Sequence, residues 1–251
     1  MRIRKKDRPN GFVIYEGPSL IDGAPIVVIA TGLVRKSRNP KTGWMIQTWI
    51  MRADIAPNIA LRKRLDRSVC GDCSFASGNG CYVNIGRAPL VVWRAYKRGY
   101  YPRVSLEEAR AAFAGRSVRV GSYGDGAAAP IKVWDIALAE IESGTGYTHQ
   151  WRDARNASLK RYCMASCDSV HDYVDAMRAG WRTFRVRTNL QALQSGEIAC
   201  PASAEMNHKT TCAACRACFG TQAKARTNIA IIAHGISAAK FVKRTENASE
   251  A

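Results

Sequence analysis

Residues 117–122 read Ser117-Val118-Arg119-Val120-Gly121-Ser122, a strand, and run through Tyr123, Gly124 and Asp125 into a helical stretch at 127–141. From there strand and helix patterns alternate. Strands follow at 146–150 and 161–166, then a helix at 168–179 with Asp168 as its N-cap, then strands at 181–186 and 228–233. That alternation is the pattern of parallel βαβ units. There are too few units for a complete eight-fold barrel. The reading is an α/β fold, either a partial (β/α) barrel or an open parallel sheet.

Upstream, Ser105 and Glu108 form a capping box that opens a helix to about residue 115. Residues 89–97 are helical, and Arg94, Lys97 and Arg98 make the end of that helix basic. Residues 55–65 form a short helix carrying Arg62, Lys63 and Arg64. The β-rich runs 25–33 and 44–52, joined across 38–43, predict a β-hairpin ahead of the parallel units. Residues 1–11 read as a basic flexible arm, 12–244 as a single α/β domain, and 245–251 as a polar, frayed tail.

The chain has 251 residues, 47% hydrophobic and 23% charged, which excludes wholesale disorder. A chain of this length buries a core without disulfide staples. No apolar run approaches the ~18 residues of a membrane span, and no apolar segment follows the basic N-terminus to make a signal peptide. A cytoplasmic protein with reduced thiols is expected. Lys plus Arg is 38 against 20 for Asp plus Glu, a formal charge of +18. That excess favours a polyanion as partner, nucleic acid above all. Walker A, G-x-G-x-x-G, H-E-x-x-H and zinc-deaminase motifs are absent, as is the His-x-His pair of metal-dependent nickases.

The nine cysteines carry the most specific signal. Cys200, followed by Pro201, precedes Cys212, Cys215 and Cys218 in successive C-x2-C steps, the manner in which one loop and a distant Cys-Pro hold a 4Fe–4S cluster. Structural zinc is the alternative. A second set, Cys70, Cys73 and Cys81, lies in the Gly- and Ser-rich loop 68–82. It suits a cluster with an open iron, a zinc site completed from elsewhere, or a redox pair. The two sets together hold seven thiols, so one site has an open or non-Cys position or one Cys is a bystander. Cys163 and Cys167 read as small core residues.

In parallel α/β folds functional groups gather beyond the carboxyl ends of the strands. Here those ends carry Asp125 and His149 as candidate catalytic residues. Ser122, Tyr123, Gly124, Gln150, Arg185, Arg187 and His234 form a candidate ligand-binding rim. Arg62, Lys63, Arg64, Arg94, Lys97 and Arg98, with Tyr100 and Tyr101 for stacking, are the candidate nucleic-acid contacts.

The blocks CGDC, CYVNIG, VRVGSYGD, GYTHQW, WRTFRVR, CPAS, CAACRAC and IAIIAHG, spread over residues 12–236, resemble a poorly characterised family of phage and mobile-element cysteine-rich proteins. The resemblance implies expression in a bacterial host cytoplasm and brings no biochemical activity with it. More distantly, the chain is similar to radical-SAM enzymes. Their partial barrel places a three-cysteine loop early and a Gly-Gly-Glu-like strand end next, here Cys70, Cys73 and Cys81, then Gly124 and Asp125. That likeness implies S-adenosylmethionine at an open cluster. The usual C-x3-C-x2-C spacing is replaced here by C-x2-C-x7-C. Three functions are therefore expected to compete. They are an iron–sulfur protein acting on nucleic acid, a radical-SAM-like enzyme modifying a nucleotide or small molecule, and a zinc-stabilised protein that binds a host factor.

Overall fold

In the computed structural model, residues 9–77, 79–235 and 237–249 are described, with 246–249 given by backbone alone. The first eight residues of the expected arm, and residues 250–251 of the expected tail, lie outside the described residues. Strand β1 (Gly11–Pro18), strand β2 (Pro25–Thr31) and strand β3 (Ile46–Arg52) form an antiparallel meander. Residues Ile26 to Thr31 of β2 are all buried, so the strand is apolar on both faces rather than alternating. Four helices follow: α1 (Pro57–Arg62), α2 (Arg67–Cys70), α3 (Ala88–Lys97) and α4 (Leu106–Phe113). The capping box at α4 forms as expected, the Ser105 hydroxyl accepting from Glu108 N–H and the Glu108 carboxylate from Ser105 N–H.

The chain then enters its parallel part. Strand β4 (Ser117–Tyr123) pairs parallel with β3, and β5 (Ser143–Thr145) pairs parallel with β4, giving a first sheet in the order β1-β2-β3-β4-β5. The second sheet is built from β6 (Tyr147–Thr148), β7 (Met164–Cys167), β8 (Thr183–Arg187), β9 (Glu197–Ala199) and β10 (Asn228–Ile232). Its order is β6-β7-β8-β10-β9 and every pair is parallel. Helices α5 (Ile131–Ala137), α6 (Val170–Arg178), α7 (Cys212–Cys215) and α8 (Ala238–Ser249) complete the chain. The fold is mixed α/β with two parallel-rich sheets. No helix among the described residues is long and apolar enough to cross a membrane.

A single residue, Gly146, separates β5 from β6 and so links the two sheets. Its N–H donates to Cys218 O at 2.9 Å and its carbonyl accepts from Met164 N–H at 2.9 Å. A Cβ there would fall 2.6 Å from Tyr162 O and 2.8 Å from Cys163 Sγ, which leaves room for glycine only.

Several boundaries differ from the sequence reading, each for a local reason. The helix expected over 127–141 is split into a 3₁₀ turn at Gly126–Ala128 and α5, because Pro130 cannot donate into a continuing helix. The strand expected at 146–150 stops at Thr148, where the chain turns into a 3₁₀ segment, Gln150–Arg152. The strand expected from 161 starts at Met164, since a 3₁₀ segment runs to Arg161. Ser169, not Asp168, caps α6, its hydroxyl accepting from Asp172 N–H at 3.0 Å. Residues 245–249, expected to fray, continue α8. Gly11, assigned to the arm, begins β1.

Arg185, expected on a ligand rim, lies in the core. Its side chain and that of Glu197 are both 0% exposed. The guanidinium donates to the two Glu197 oxygens at 2.8 and 2.6 Å and to Ala192 O at 2.9 Å. Arg187 is likewise buried and is held by Glu205 and the carbonyls of Thr188 and Gln191. Both arginines therefore fasten the segment around β9 to β8. Removing one partner of such a pair strands a buried charge. Glu197→Ala is expected to cost about 3–5 kcal/mol in urea unfolding. A loss below about 1 kcal/mol, the value of a surface pair, would contradict this assignment.

Candidate metal centres and the basic face beside them

The first cysteine loop is built by the segment after β3. Asp66 precedes α2, is only 2% exposed, and accepts from Ser77 N–H at 2.7 Å and the Ser77 hydroxyl at 2.9 Å. This folds the loop back on itself and brings Cys70, Cys73 and Cys81 into one neighbourhood, where their charges act on one another. Burial, then the neighbouring sulfurs, pushes the Cys70 thiol well above its ordinary value, and burial raises Cys81 to about 11. Any metal bound here must displace protons from both.

The strand ends close over this loop. Asp125 N–H donates to Val69 O at 2.6 Å, next to Cys70. The Asp125 carboxylate accepts from Ala127 N–H at 3.0 Å and His149 N–H at 2.8 Å. Gln150 Nε2 donates to Cys70 O at 3.2 Å. The His149 ring follows, with Nε2 3.9 Å from Cys73 Sγ and 3.5 Å from Asp168 Oδ1. Burial alone would lower the His149 pKa, but Cys73 and Asp168 reverse this and hold it well above the usual imidazole value. Asp168 also accepts from the Ser74 hydroxyl and faces Arg244 of α8. The Tyr123 hydroxyl is buried beside Cys70 and Cys81 and has no hydrogen-bond partner.

The second set gathers on α7 and around it. Thr211 caps this short helix through Ala214 N–H at 3.3 Å, and Ala213 N–H donates to Lys41 O at 3.2 Å. Arg216 adopts a left-handed conformation (φ 58°) and turns the chain toward Cys218, whose carbonyl holds the Gly146 hinge. Cys200 N–H pairs with Ala230 O at 2.8 Å, which fixes the fourth thiol at the edge of β10. Cys200, Cys212, Cys215 and Cys218 all line one cavity of about 200 Å³. Burial raises Cys218 to about 12, partly offset by a hydrogen bond from the Tyr147 hydroxyl.

Arg119 enters the same cavity from β4, on the opposite strand face from Val118 and Val120. Burial works against its charge, but Tyr82, Tyr147 and Cys212 outweigh that and raise its pKa. Tyr82 and Phe75, from the first cysteine loop, form part of the cavity wall, so the loop of one set borders the chamber of the other. His234 lines it too. Cys163 and Cys167 are fully buried in the main core, apart from both sets. Among the described residues, no three or more His, Cys, Asp or Glu side chains are arranged to hold a metal ion.

The remaining candidates divide clearly. Ser122 is buried and donates to Gln47 Oε1 at 2.8 Å, and Gly124 turns the chain at φ 81° into Asp125. Arg62, Lys63, Arg64, Arg94, Lys97 and Arg98 are all exposed, on helices α1 and α3 that pack against each other and on the residues that follow each. Lys97 lies over the rings of Trp93 and Tyr96. Tyr100 is 63% exposed, whereas Tyr101 packs against the core and has little free face. A pocket of about 240 Å³ joins Arg64 and Arg67 to Cys73 and Ser74.

The sequence reading did not single out Arg119, Tyr82 or Asp66. Only Arg119 carried a sequence signal, a charge between two core valines. No family model, curated protein or solved structure matches the chain.

Asp125 supplies two expected outcomes. Asp125→Ala strands two buried N–H groups and should cost about 2–5 kcal/mol in chemical unfolding, with Asp125→Asn milder because it keeps one acceptor. Burial raises the Asp125 pKa in the folded state, so the native chain binds this proton more tightly than the unfolded one. Its contribution to stability is therefore present at low pH and is lost as pH rises from the unfolded carboxylate value through the raised folded one. Stability measured against pH in the wild type and Asp125→Asn should differ in slope over that window. Parallel curves would contradict the assignment.

Proposed function

We propose that this chain is an iron–sulfur protein of phage type that binds nucleic acid on the α1–α3 face, against the first cysteine loop. The observation that carries this reading is the pocket shared by Arg64, Arg67 and Cys73, because it joins the basic face to the cysteines. Arg62, Lys63 and Arg64 are exposed and, among the described residues, pair with no carboxylate, as are Arg94 and Arg98. Such unpaired cations are what a phosphate backbone exchanges for its counterions.

The cofactor reading rests on the donor sets. A cluster ligated at its corners holds its cysteines further apart than a single ion does, and nearby charge and hydrogen bonds to sulfur tune its potential. The second set provides four thiols around a chamber, with Arg119 and the Tyr147 hydroxyl beside them. When bound, a cluster there would supply electron storage or a structural tie between α7, β9 and the Gly146 hinge.

A radical-SAM-like enzyme is the second reading, favoured by the order of parts. The first cysteine loop follows β3, the first strand with a parallel partner, and Gly124 and Asp125 end the next, β4. The two sheets joined at Gly146 would then be the walls of a partial barrel. Against it, the Asp125 carboxylate is already engaged by two backbone N–H groups.

The test is binding of a fluorescent oligonucleotide by anisotropy across a salt series, for single- and double-stranded DNA and RNA. Each phosphate contact contributes a slope of about −0.7 to −0.9 in log K against log salt. Replacing Arg62, Lys63 and Arg64 by Glu should weaken binding at least tenfold and flatten the slope by about 2–3, with iron content unchanged. Absence of binding to any of the polymers at low salt would overturn the nucleic-acid role. Tight, saturable binding of S-adenosylmethionine would move the second reading to first place.

A further inference from the structure

We propose that the loop between β2 and β3, residues 32–45, is a second nucleic-acid contact that selects single strands. Trp44 is its stacking platform for an unpaired base, and Arg35, Lys36 and Arg38 are its phosphate contacts. The inference rests on the nucleic-acid reading above and adds a surface and a strand preference which that reading does not contain. It starts from an indole left in water. Trp44 is 59% exposed, whereas Trp49, Trp134, Trp151 and Trp181 are buried and Trp93 is partly so. Among the described residues, the Trp44 ring has no hydrogen bond and no aromatic or cationic partner. An aromatic face of this size contributes most when something covers it.

The exposure does not come from a slack loop. Thr42, Met45 and Ile46, on either side of Trp44, are at most 1% exposed. Ser37 N–H donates to Gly43 O at 2.7 Å, closing the loop on itself, and Gly43 takes a left-handed conformation (φ 44°) just before Trp44. Arg116 clamps both ends, its Nη2 donating to Gly32 O at 2.6 Å and to Trp44 O at 3.2 Å. Asn10 Oδ1 accepts from the N–H groups of Val34 and Arg35 at 3.0 and 2.7 Å. The indole is therefore presented from a fixed backbone, and a ligand that covers it has little ordering left to impose.

Charge decides the kind of partner. Residues 23–53 contain no Asp or Glu. Arg35, Lys36 and Arg38 are exposed and, among the described residues, pair with no carboxylate. Lys36 and Arg38 flank Ser37, whose bond to Gly43 brings them beside the chain that carries the indole. Exposed cations next to a free aromatic face suit a single strand, the cations taking phosphates and the ring a base. Bases within a duplex are already stacked on both faces and offer the indole nothing. The loop leads into β3 at Ile46, while α3 is fastened near the far end of that strand, where Trp93 Nε1 donates to Arg52 O at 2.9 Å. The seven residues of β3 separate the two surfaces by about 20 Å.

The experiment titrates the full-length protein with a single-stranded oligothymidylate and with a duplex of the same length, following indole emission and binding across a salt series. The single strand should bind more tightly than the duplex and quench the emission. Trp44→Ala should weaken single-strand binding about tenfold and leave duplex binding unchanged. Trp44→Phe should keep most of the affinity and lose the quenching, because a phenyl ring stacks without indole emission. Replacing Arg35, Lys36 and Arg38 by Ala should flatten the single-strand salt slope by about 2.

Single-strand affinity and quenching that survive in Trp44→Ala, or equal binding of single strand and duplex by the unmutated chain, would overturn this surface. The α1–α3 contact, read by the variants at Arg62, Lys63 and Arg64, would then stand alone. No binding of either polymer at low salt would overturn both. Because the strand comparison uses the unmutated chain, misfolding of a variant cannot mask the answer.

Discussion

One buried carboxylate ties three separate segments of this molecule together. Asp125 sits where β4 ends, accepts the N–H groups of Ala127 and His149, and gives its own N–H to Val69. These bonds join the first cysteine loop, the turn before α5 and the residue after β6, three segments far apart in sequence. Burial makes the arrangement expensive for a charged group, and an unpaired N–H in the same place would be expensive as well. The fold resolves the conflict by letting each need satisfy the other. Asp125 thus holds the first cysteine loop and the His149 backbone in one frame.

The same logic recurs on the far side of the Gly146 hinge. The carbonyl of Cys218 pairs with Gly146 N–H, so the second cysteine loop and the junction between the sheets are one hydrogen-bonded unit. Arg185 with Glu197, and Arg187 with Glu205, bind β9 and the segment around it to β8, and Cys200 follows β9 directly. Arg119 brings positive charge to the chamber lined by the four thiols. Both cysteine sets therefore depend on buried polar contacts for their position, with the apolar core supplying the floor beneath them.

Much of this was legible in the sequence because it is local. The Ser105 and Glu108 capping box, the hairpin of β2 and β3, and the strands at β4, β8 and β10 follow from residue patterns a few positions long. What escaped was set by tertiary contact. Asp168 reads as an N-cap, yet its carboxylate is drawn to Ser74 and His149, and Ser169 takes the cap. Arg185 and Arg187 read as a basic rim, but they alternate with the half-buried Phe184 and Val186 and fall on the buried face of β8, where two glutamates meet them. The proximity of His149 to Cys73 spans 76 positions and leaves no trace in spacing.

The central proposal is that Cys200, Cys212, Cys215 and Cys218, which line one chamber, hold an iron–sulfur cluster. Its most direct test is iron and acid-labile sulfide per chain after anaerobic reconstitution, with Mössbauer spectra to type the clusters. The account predicts about four irons and about four sulfides bound by this set, in a 4Fe–4S environment. Stoichiometric zinc retained in place of iron, or wild-type iron content after Cys215 alone is replaced, would contradict it.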